Sequence, residues 1–467
     1  MPINKSVFIS DIIVELEEEN VAVFAGAGLS MPAGYVSWGE LLKPIADEIN
    51  LDINKEYDLV SLAQYYLNEN GGNRSQLNKR LIEEFAQNEN TTENHKILAK
   101  LPIKVYWTTN YDKLIEQAIE EQSKKADIKY TKKHLSLTIP KRDAIIYKMH
   151  GDISHPDDAI LTKDDYESYH VKMDLYLSTL KGDLLNKTFI FLGFSFTDPN
   201  LDYILSRVRV AGASPKRHFN FTKKVTRFER EELADFEYRK RKQELFIGDL
   251  KRFNIRTILV EDYNEITTIL KEVEEKFKRK NIFISGAANE YGEWERDKSE
   301  LFVHDLSKKL IESDYKIVSG YGLGIGSSVI SGSLNAIYNN SSRYSKDSLI
   351  LRPFPQSVQG KQNIKTLWTQ YRKDMIEYAG IVIFIFGNKL KDDEIVLSDG
   401  MREELQIAKE KNLLLLPIGA TGYISEEFWN ALKGEYIEDE IYENLGDKTK
   451  EPKEIIDLIL KFLENHK

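Results

Sequence analysis

Cysteine is absent from all 467 residues, which removes disulfides, thiolate nucleophiles, iron–sulfur clusters and the four-cysteine zinc ribbon together. The chain needs neither an oxidising compartment nor structural zinc. Long apolar runs are missing too. The longest, such as Ile381 to Phe386 and Leu413 to Leu416, fall far short of the roughly 18 residues needed to cross a bilayer. The opening stretch MPINKSVFISDIIVELEEEN is interrupted by Asp11 and by the acidic run from Glu15 to Glu19, so it predicts an amphipathic helix rather than a secretory signal. A soluble, cytoplasmic protein is the expectation. Positive charge is in deficit, with 65 Lys and Arg against 75 Asp and Glu and a formal charge of −10. A binder of nucleic-acid phosphates or anionic membranes normally carries the opposite bias. No low-complexity tract, internal repeat or proline-rich linker is present.

What is there is ample core material. Apolar residues make up 41% and glycine adds 26 residues, which reaches the usual share of a soluble globular chain, and the length predicts two or three domains. Short β-branched or aromatic runs alternate with charge-laced periodic segments, the pattern of parallel strands joined by crossover helices. The first half offers strands at Val21–Phe24, Val105–Thr108, Ile145–Lys148, Thr188–Leu192 and Arg256–Leu259. The second offers Asn281–Ser285, Lys316–Ser319, Ser348–Leu351, Ile381–Phe386 and Leu413–Pro417. The charged helix ITTILKEVEEKFKRK runs out just before the sixth of these, which sets the expected domains at 1–278 and 279–467.

The strand VAVFA leads into Gly26, Ala27, Gly28 and Ser30, small residues whose backbone N–H groups can approach a pyrophosphate before the chain turns toward a helix near Trp38. Met31 stands at the last glycine position of the strict dinucleotide fingerprint, and a plain tight turn is the competing reading. Three further loops follow in order, each just past a predicted strand: TTNYD at 108–112, KMHGD at 148–152 and GFSFTDPN at 193–200. His150 reads either as a general base or as a strand-capping histidine, and Asn110 and Asp112 either as ligand groups or as turn and helix caps. The other histidines, including His95, His155, His170 and His218, show no metal-ligand spacing and are assigned to surface or packing, so no metal is expected.

In this order the four loops resemble the sirtuin family, with its GAG-x-S loop, T-Q-N-x-D segment, HG pair and later G-T/S-S loop, over roughly residues 1–275. Thr109 stands where sirtuins carry glutamine and the zinc-binding cysteines are missing, so protein deacylation is not expected. The resemblance implies NAD+ as substrate and cleavage of its nicotinamide–ribose bond through an oxocarbenium-like state. It gives Asn110 the ribose and reacting water, His150 the general base, and Asp112 the nicotinamide end. Ala25, Gly26, Ala27, Gly28 and Ser30 fall to the phosphates, and Gly193 and Ser195 to the adenosine side. The stretches 38–87 and 201–244 read as helical insertions walling the pocket.

In the second half, SGYGLGIGSS places Gly320, Gly322, Gly324 and Gly326 at alternate positions before a predicted helix near Ser327, and SGAA at 285–288 supplies a second small-residue strand end. Such a segment is either a phosphate-binding nest or a flexible connector. Arg352, Arg372, Lys389 and Glu404 follow at what read as matching strand ends, suited to phosphate and ribose or simply to surface charge. This half resembles the SLOG family of nucleotide-binding domains without the P-G-G-x-G-T-x-x-E string of its enzymes, so binding without turnover is expected. The tandem resembles the effector family of the bacterial Thoeris anti-phage system. That implies a cyclic ADP-ribose isomer as activator, made by a TIR-domain partner and bound by Gly286, Gly322, Gly324, Arg372, Lys389 and Glu404, and a homotetramer that depletes NAD. The fold class expected is α/β, two Rossmann-like parallel-sheet domains, the first with helical insertions. A non-catalytic receptor holding two nucleotides is the alternative.

Overall fold

A computed structural model describes residues 2–56, 58–87, 89–196, 198–210, 216–355, 363–436 and 439–466. The chain divides into two compact units, Met1–Glu274 and Glu275–Lys467. The division falls inside helix Asn264–Lys278, whose Ile266, Ile269, Leu270 and Val273 form one buried stripe at helical spacing.

The first unit is built on β1 (Val21–Ala25), β2 (Val105–Thr108), β3 (Ala126–Lys129), β4 (Ala144–Lys148), β5 (Thr188–Leu192), β6 (His218–Lys223) and β7 (Ile255–Val260). They form one sheet in the order β3-β4-β2-β1-β5-β6-β7, with every pairing parallel. β1 and β5 are buried at every position, as strands covered by helices on both faces must be, and this explains the apolar runs VAVFA and, after Thr188, FIFL. Helix Lys5–Glu17, begun by the Asn4 side chain, buries Phe8 edge-on against Phe219 and Phe221 of β6 at 5.1 Å.

The sequence reading missed β3 and β6. ADIK is short and half charged, and its Lys129–Asp127 pair, 2.7 Å apart, is buried. HFNFTK hides a strand among alternating polar residues. Burial drives His218 down to about 3, so its neutral Nδ1 accepts the Phe189 amide at 3.1 Å. Residues 201–244 are therefore not one helical insertion: helix Pro199–Val210, strand β6 and part of helix Leu233–Leu250 share that span. Within the last helix Arg241 pairs with Glu244 three residues on. The stretch 38–87 is helical as expected, with Trp38–Glu48, Leu59–Glu69 and Ser75–Phe85 sharing a core with Tyr111, Leu114 and Ile153.

The second unit contains β8 (Asn281–Ala287), β9 (Lys316–Ser319), β10 (Leu349–Leu351), β11 (Ile381–Phe386), an antiparallel hairpin of β12 (Asn388–Lys391) and β13 (Glu394–Leu397), and β14 (Leu414–Pro417). Its parallel sheet runs β10-β9-β8-β11-β14. Both units are thus Rossmann-like α/β folds. Among the described residues no helix is long and apolar enough to cross a membrane.

Candidate active site

The four loops singled out in the first half follow β1, β2, β4 and β5, which are consecutive in the sheet as β4-β2-β1-β5. β1 lies between β2 and β5, where the strand order reverses, and open parallel sheets bind ligands at that edge. Backbone geometry packs the loops together. The Gly26 and Gly28 amides donate to the Leu192 and Gly193 carbonyl oxygens at 2.9 and 3.0 Å. A Cβ on Gly26 would stand 2.5 Å from the Gly193 oxygen, and one on Gly28 2.8 Å from the Gly193 Cα. Gly193 itself has φ +62°. The glycines thus serve the close approach of two loops, and the amides of Gly26 and Gly28, expected to face a pyrophosphate, are already used by the chain. The expected helix does start at Trp38, and an additional one-turn helix at Ala27–Ser30, which leaves Ala27 and Gly28 exposed, precedes it.

Asn110 ties this arrangement to the loop after β2. Its amide nitrogen donates to the Gly26 carbonyl and to the Ser30 hydroxyl, both at 3.0 Å, which fixes the amide orientation and turns the side-chain oxygen away from both. Asp112 accepts the Leu114 amide, the first of helix Leu114–Glu121, at 3.0 Å through Oδ1 and so caps it, while its buried Oδ2 has no partner among the described residues. The capping reading and the ligand reading of Asp112 therefore occupy different oxygens. Ser195 is exposed on the loop after β5, and Thr197 of that motif lies outside the described residues.

His150 is 2% exposed. Its Nε2 lies 2.9 Å from Asp198 Oδ2 and 3.5 Å from the Tyr166 hydroxyl, and its buried Nδ1 has no partner among the described residues. Trp38, Tyr111 and Tyr166 surround the ring at centroid distances of 6.3, 6.4 and 5.5 Å. Trp38 starts the insertion's first helix behind a capping box of Ser37 and Glu40, so a reciprocal backbone cap aims the indole over the imidazole. Burial raises the Asp198 carboxyl, but His150 and the amides of Leu201 and Asn200 more than offset it, leaving its pKa below the ordinary carboxylate range. Sequence reasoning gave Asp198 no role. The signal was there in D-P-N, an Asp cap followed by proline at the first helical position.

Beneath the site, Lys148 is fully buried and donates to the carbonyls of Tyr111 (3.1 Å) and Asp112 (2.6 Å) and to the carboxylates of Glu116 (3.0 Å) and Asp152 (2.6 Å). One ammonium thus links the loops carrying Asn110 and His150. This residue, too, was missed as anything but the end of a strand.

In the second unit, Gly286 lies inside β8 rather than in a loop beyond it. A Cβ on Gly322 would collide with the Gly286 carbonyl, and one on Gly324, at φ +77°, with the Ala288 carbonyl, so this glycine segment is a fitted part of the β8 edge and not a free connector. Arg372 and Glu404 sit on helices Ile364–Glu377 and Asp399–Glu410, not at strand ends as expected. The structure nonetheless brings them together. Arg372 bonds Glu403 at 2.6 Å and Glu404 at 3.3 Å and lies 5.0 Å from the Phe354 ring centre, and Glu404 accepts the Ser285 hydroxyl at 2.6 Å. Burial pushes the Glu404 carboxyl up against the opposing pull of Ser285 and Arg372. Lys389, on the hairpin, is paired with Asp399, and Arg352 lies over the Tyr378 ring.

Comparison with known proteins finds a match for each half of the chain. Residues 104–245 match a SIR2-like domain and residues 265–466 the Sir2- and TIR-associating SLOG family. Over nearly its full length the chain is similar to proteins named NAD(+) hydrolase ThsA. The one from Bacillus cereus (strain MSX-D12) is 53% identical over 467 residues, covering 98% of this chain and 97% of the relative. The one from Acinetobacter baumannii (strain 532279) is 50% identical over 454 residues, covering 96% and 94%. A protein from Bacillus subtilis named defense-associated sirtuin 2 is 25% identical over 210 residues, 43% of this chain and 20% of the relative.

Proposed function

The chain belongs to the ThsA family of NAD(+) hydrolases, and from that premise we propose that its first unit breaks the nicotinamide–ribose bond of NAD+ when its second unit binds a cyclic ADP-ribose-type signal. The observation that carries the catalytic half is the pairing of order with vacancy in hydrogen bonding. Asn110 is locked by two bonds at the switch of the sheet, while His150 Nδ1 and Asp112 Oδ2 are buried there with no partner among the described residues. Such atoms are costly unless a ligand satisfies them. Ribose hydroxyls, the nicotinamide carboxamide and an attacking water supply the missing donors and acceptors.

In this reading the C1′–nitrogen bond opens, its electron pair leaves with nicotinamide, and the oxocarbenium-like ribose is taken by water. The Asn110 side-chain oxygen orients the ribose and the water. His150 accepts the proton that the water loses, and the aromatic roof of Trp38, Tyr111 and Tyr166 excludes bulk solvent. Ser30, Asn110, Asp112 and His150 are all buried, so the roof must move aside before NAD+ enters. That closed arrangement supports a gated enzyme.

For the second unit, the support is the convergence of Arg372, Glu404 and the glycine segment around the end of β8, together with the match to a SLOG family described as TIR-associating. The activator's phosphates would take Arg372 and Lys389 from Glu403 and Asp399, and the producer of the signal would be a TIR-domain protein. A homotetramer that lowers cellular NAD during phage infection belongs to the same proposal. The test measures nicotinamide release from NAD+ by the purified chain with and without each cyclic ADP-ribose isomer. One isomer should accelerate release. Arg372→Ala should abolish that acceleration while leaving basal release unchanged, and undiminished activation in this variant would contradict the sensor assignment.

A further inference from the structure

The base needs a free nitrogen on the correct side of the ring, and the structure shows how one is kept free. Asp198 immediately precedes helix Pro199–Val210 in capping geometry, its Oδ1 accepting the Leu201 amide at 2.9 Å and its backbone carbonyl the Asp202 amide at 3.1 Å. Its other oxygen, Oδ2, reaches His150 Nε2 at 2.9 Å, with the two side chains 7% and 3% exposed. A carboxylate only accepts, so the proton on the neutral ring belongs on Nε2. Nδ1 is then the nitrogen with an open lone pair, and it is the buried ring atom that has no partner among the described residues. The rings of Trp38 and Tyr166 stand nearly perpendicular to the imidazole, at 86° and 77°, and oppose its rotation.

Resting on the hydrolase reading above, we propose that Asp198 is a positioning residue for this reaction: it holds His150 in the Nε2–H tautomer so that Nδ1 takes the proton of the water attacking C1′. The water's O–H bond breaks as its oxygen bonds C1′, the pair from the broken C1′–nitrogen bond stays on nicotinamide, and the proton rests on Nδ1 until solvent removes it. Asp198 itself touches no reacting atom.

The distinguishing experiment compares Asp198→Asn with Asp198→Glu in the full chain, with NAD+ as substrate and under the conditions that give fastest turnover of the parent. The Asn amide keeps size and shape but presents a donor to Nε2, driving the ring proton onto Nδ1. A swap of this kind beside a catalytic histidine lowers kcat by about 10⁴-fold. Asp198→Asn is expected to lose at least about 10³-fold in kcat with KM little changed and with a thermal midpoint near the parent's. Asp198→Glu, larger but still an acceptor, should retain more activity. A merely structural role reverses that order, since the isosteric Asn would be tolerated and the longer Glu would not, and that outcome overturns the proposal. So does parental kcat in Asp198→Asn. Failure of the hydrolase reading looks different: the parent itself then releases no nicotinamide.

Discussion

His150→Ala is expected to lower nicotinamide release by about 10² to 10⁴-fold, the range a positioned general base contributes. The variant also leaves Asp198 without the imidazole beside it, so its thermal midpoint should fall; assays well below that midpoint separate lost chemistry from lost fold. Asn110→Ala tests the other half of the site. It deletes the two 3.0 Å bonds to Gly26 and Ser30 and the oxygen that orients ribose and water, and should be as inactive as His150→Ala. Rate measurement at saturating NAD+ decides the matter. Parental kcat in either variant contradicts the assignment of roles.

Lys148→Met is expected to cost about 3–5 kcal/mol, the usual result of breaking a buried ion pair from one side. Methionine fills most of the space, but Glu116 and Asp152 lose their shared cation and the carbonyls of Tyr111 and Asp112 lose a donor. The pH dependence has a definite sign. Burial works against the Lys148 ammonium, yet the carboxylates more than compensate, so its folded pKa is raised. Its contribution is complete below the unfolded value of about 10.4 and disappears as pH rises through the folded value. Burial likewise raises Asp152, but Lys148 and the Ser154 amide overcome it, and the folded pKa is depressed. That contribution is complete above about 3.9 and is lost as pH falls through the folded value. Between those limits the parent keeps both. The deficit of Lys148→Met, read as the difference in thermal midpoint, should therefore be full at neutral pH and shrink on acidification, because a protonated Asp152 no longer needs the cation. Equal midpoints at pH 7 would show that the cluster does not brace the site.

Much of this was legible in the sequence for a physical reason: a strand covered on both faces is apolar along nearly all its length, as β1 and β11 are throughout and β5 is after Thr188. Placing the four small-residue loops after such strands was enough to bring Gly26, Asn110, His150 and Gly193 to one edge. What the sequence hid lies in contacts between distant residues. β6 escaped because its buried His218 and Asn220 look like surface, being satisfied or sheltered only once the sheet forms. Asp198 and Lys148 escaped because an acid beside proline and a lysine ending a strand are ordinary, and only the fold places one 2.9 Å from an imidazole and the other among four oxygens. Arg372 and Glu404 were recognised as partners of one ligand but assigned to the wrong elements, since two helices converging on β8 leave no mark at the level of strand spacing.

The most direct measurement incubates the purified chain with NAD+ in ¹⁸O-labelled water and follows the nucleotides by mass spectrometry. Hydrolysis at C1′ predicts nicotinamide and ADP-ribose in equal amounts, the latter carrying one ¹⁸O atom. NAD+ that binds and is recovered intact, whichever cyclic ADP-ribose isomer is added, would contradict the account and leave a receptor in place of an enzyme.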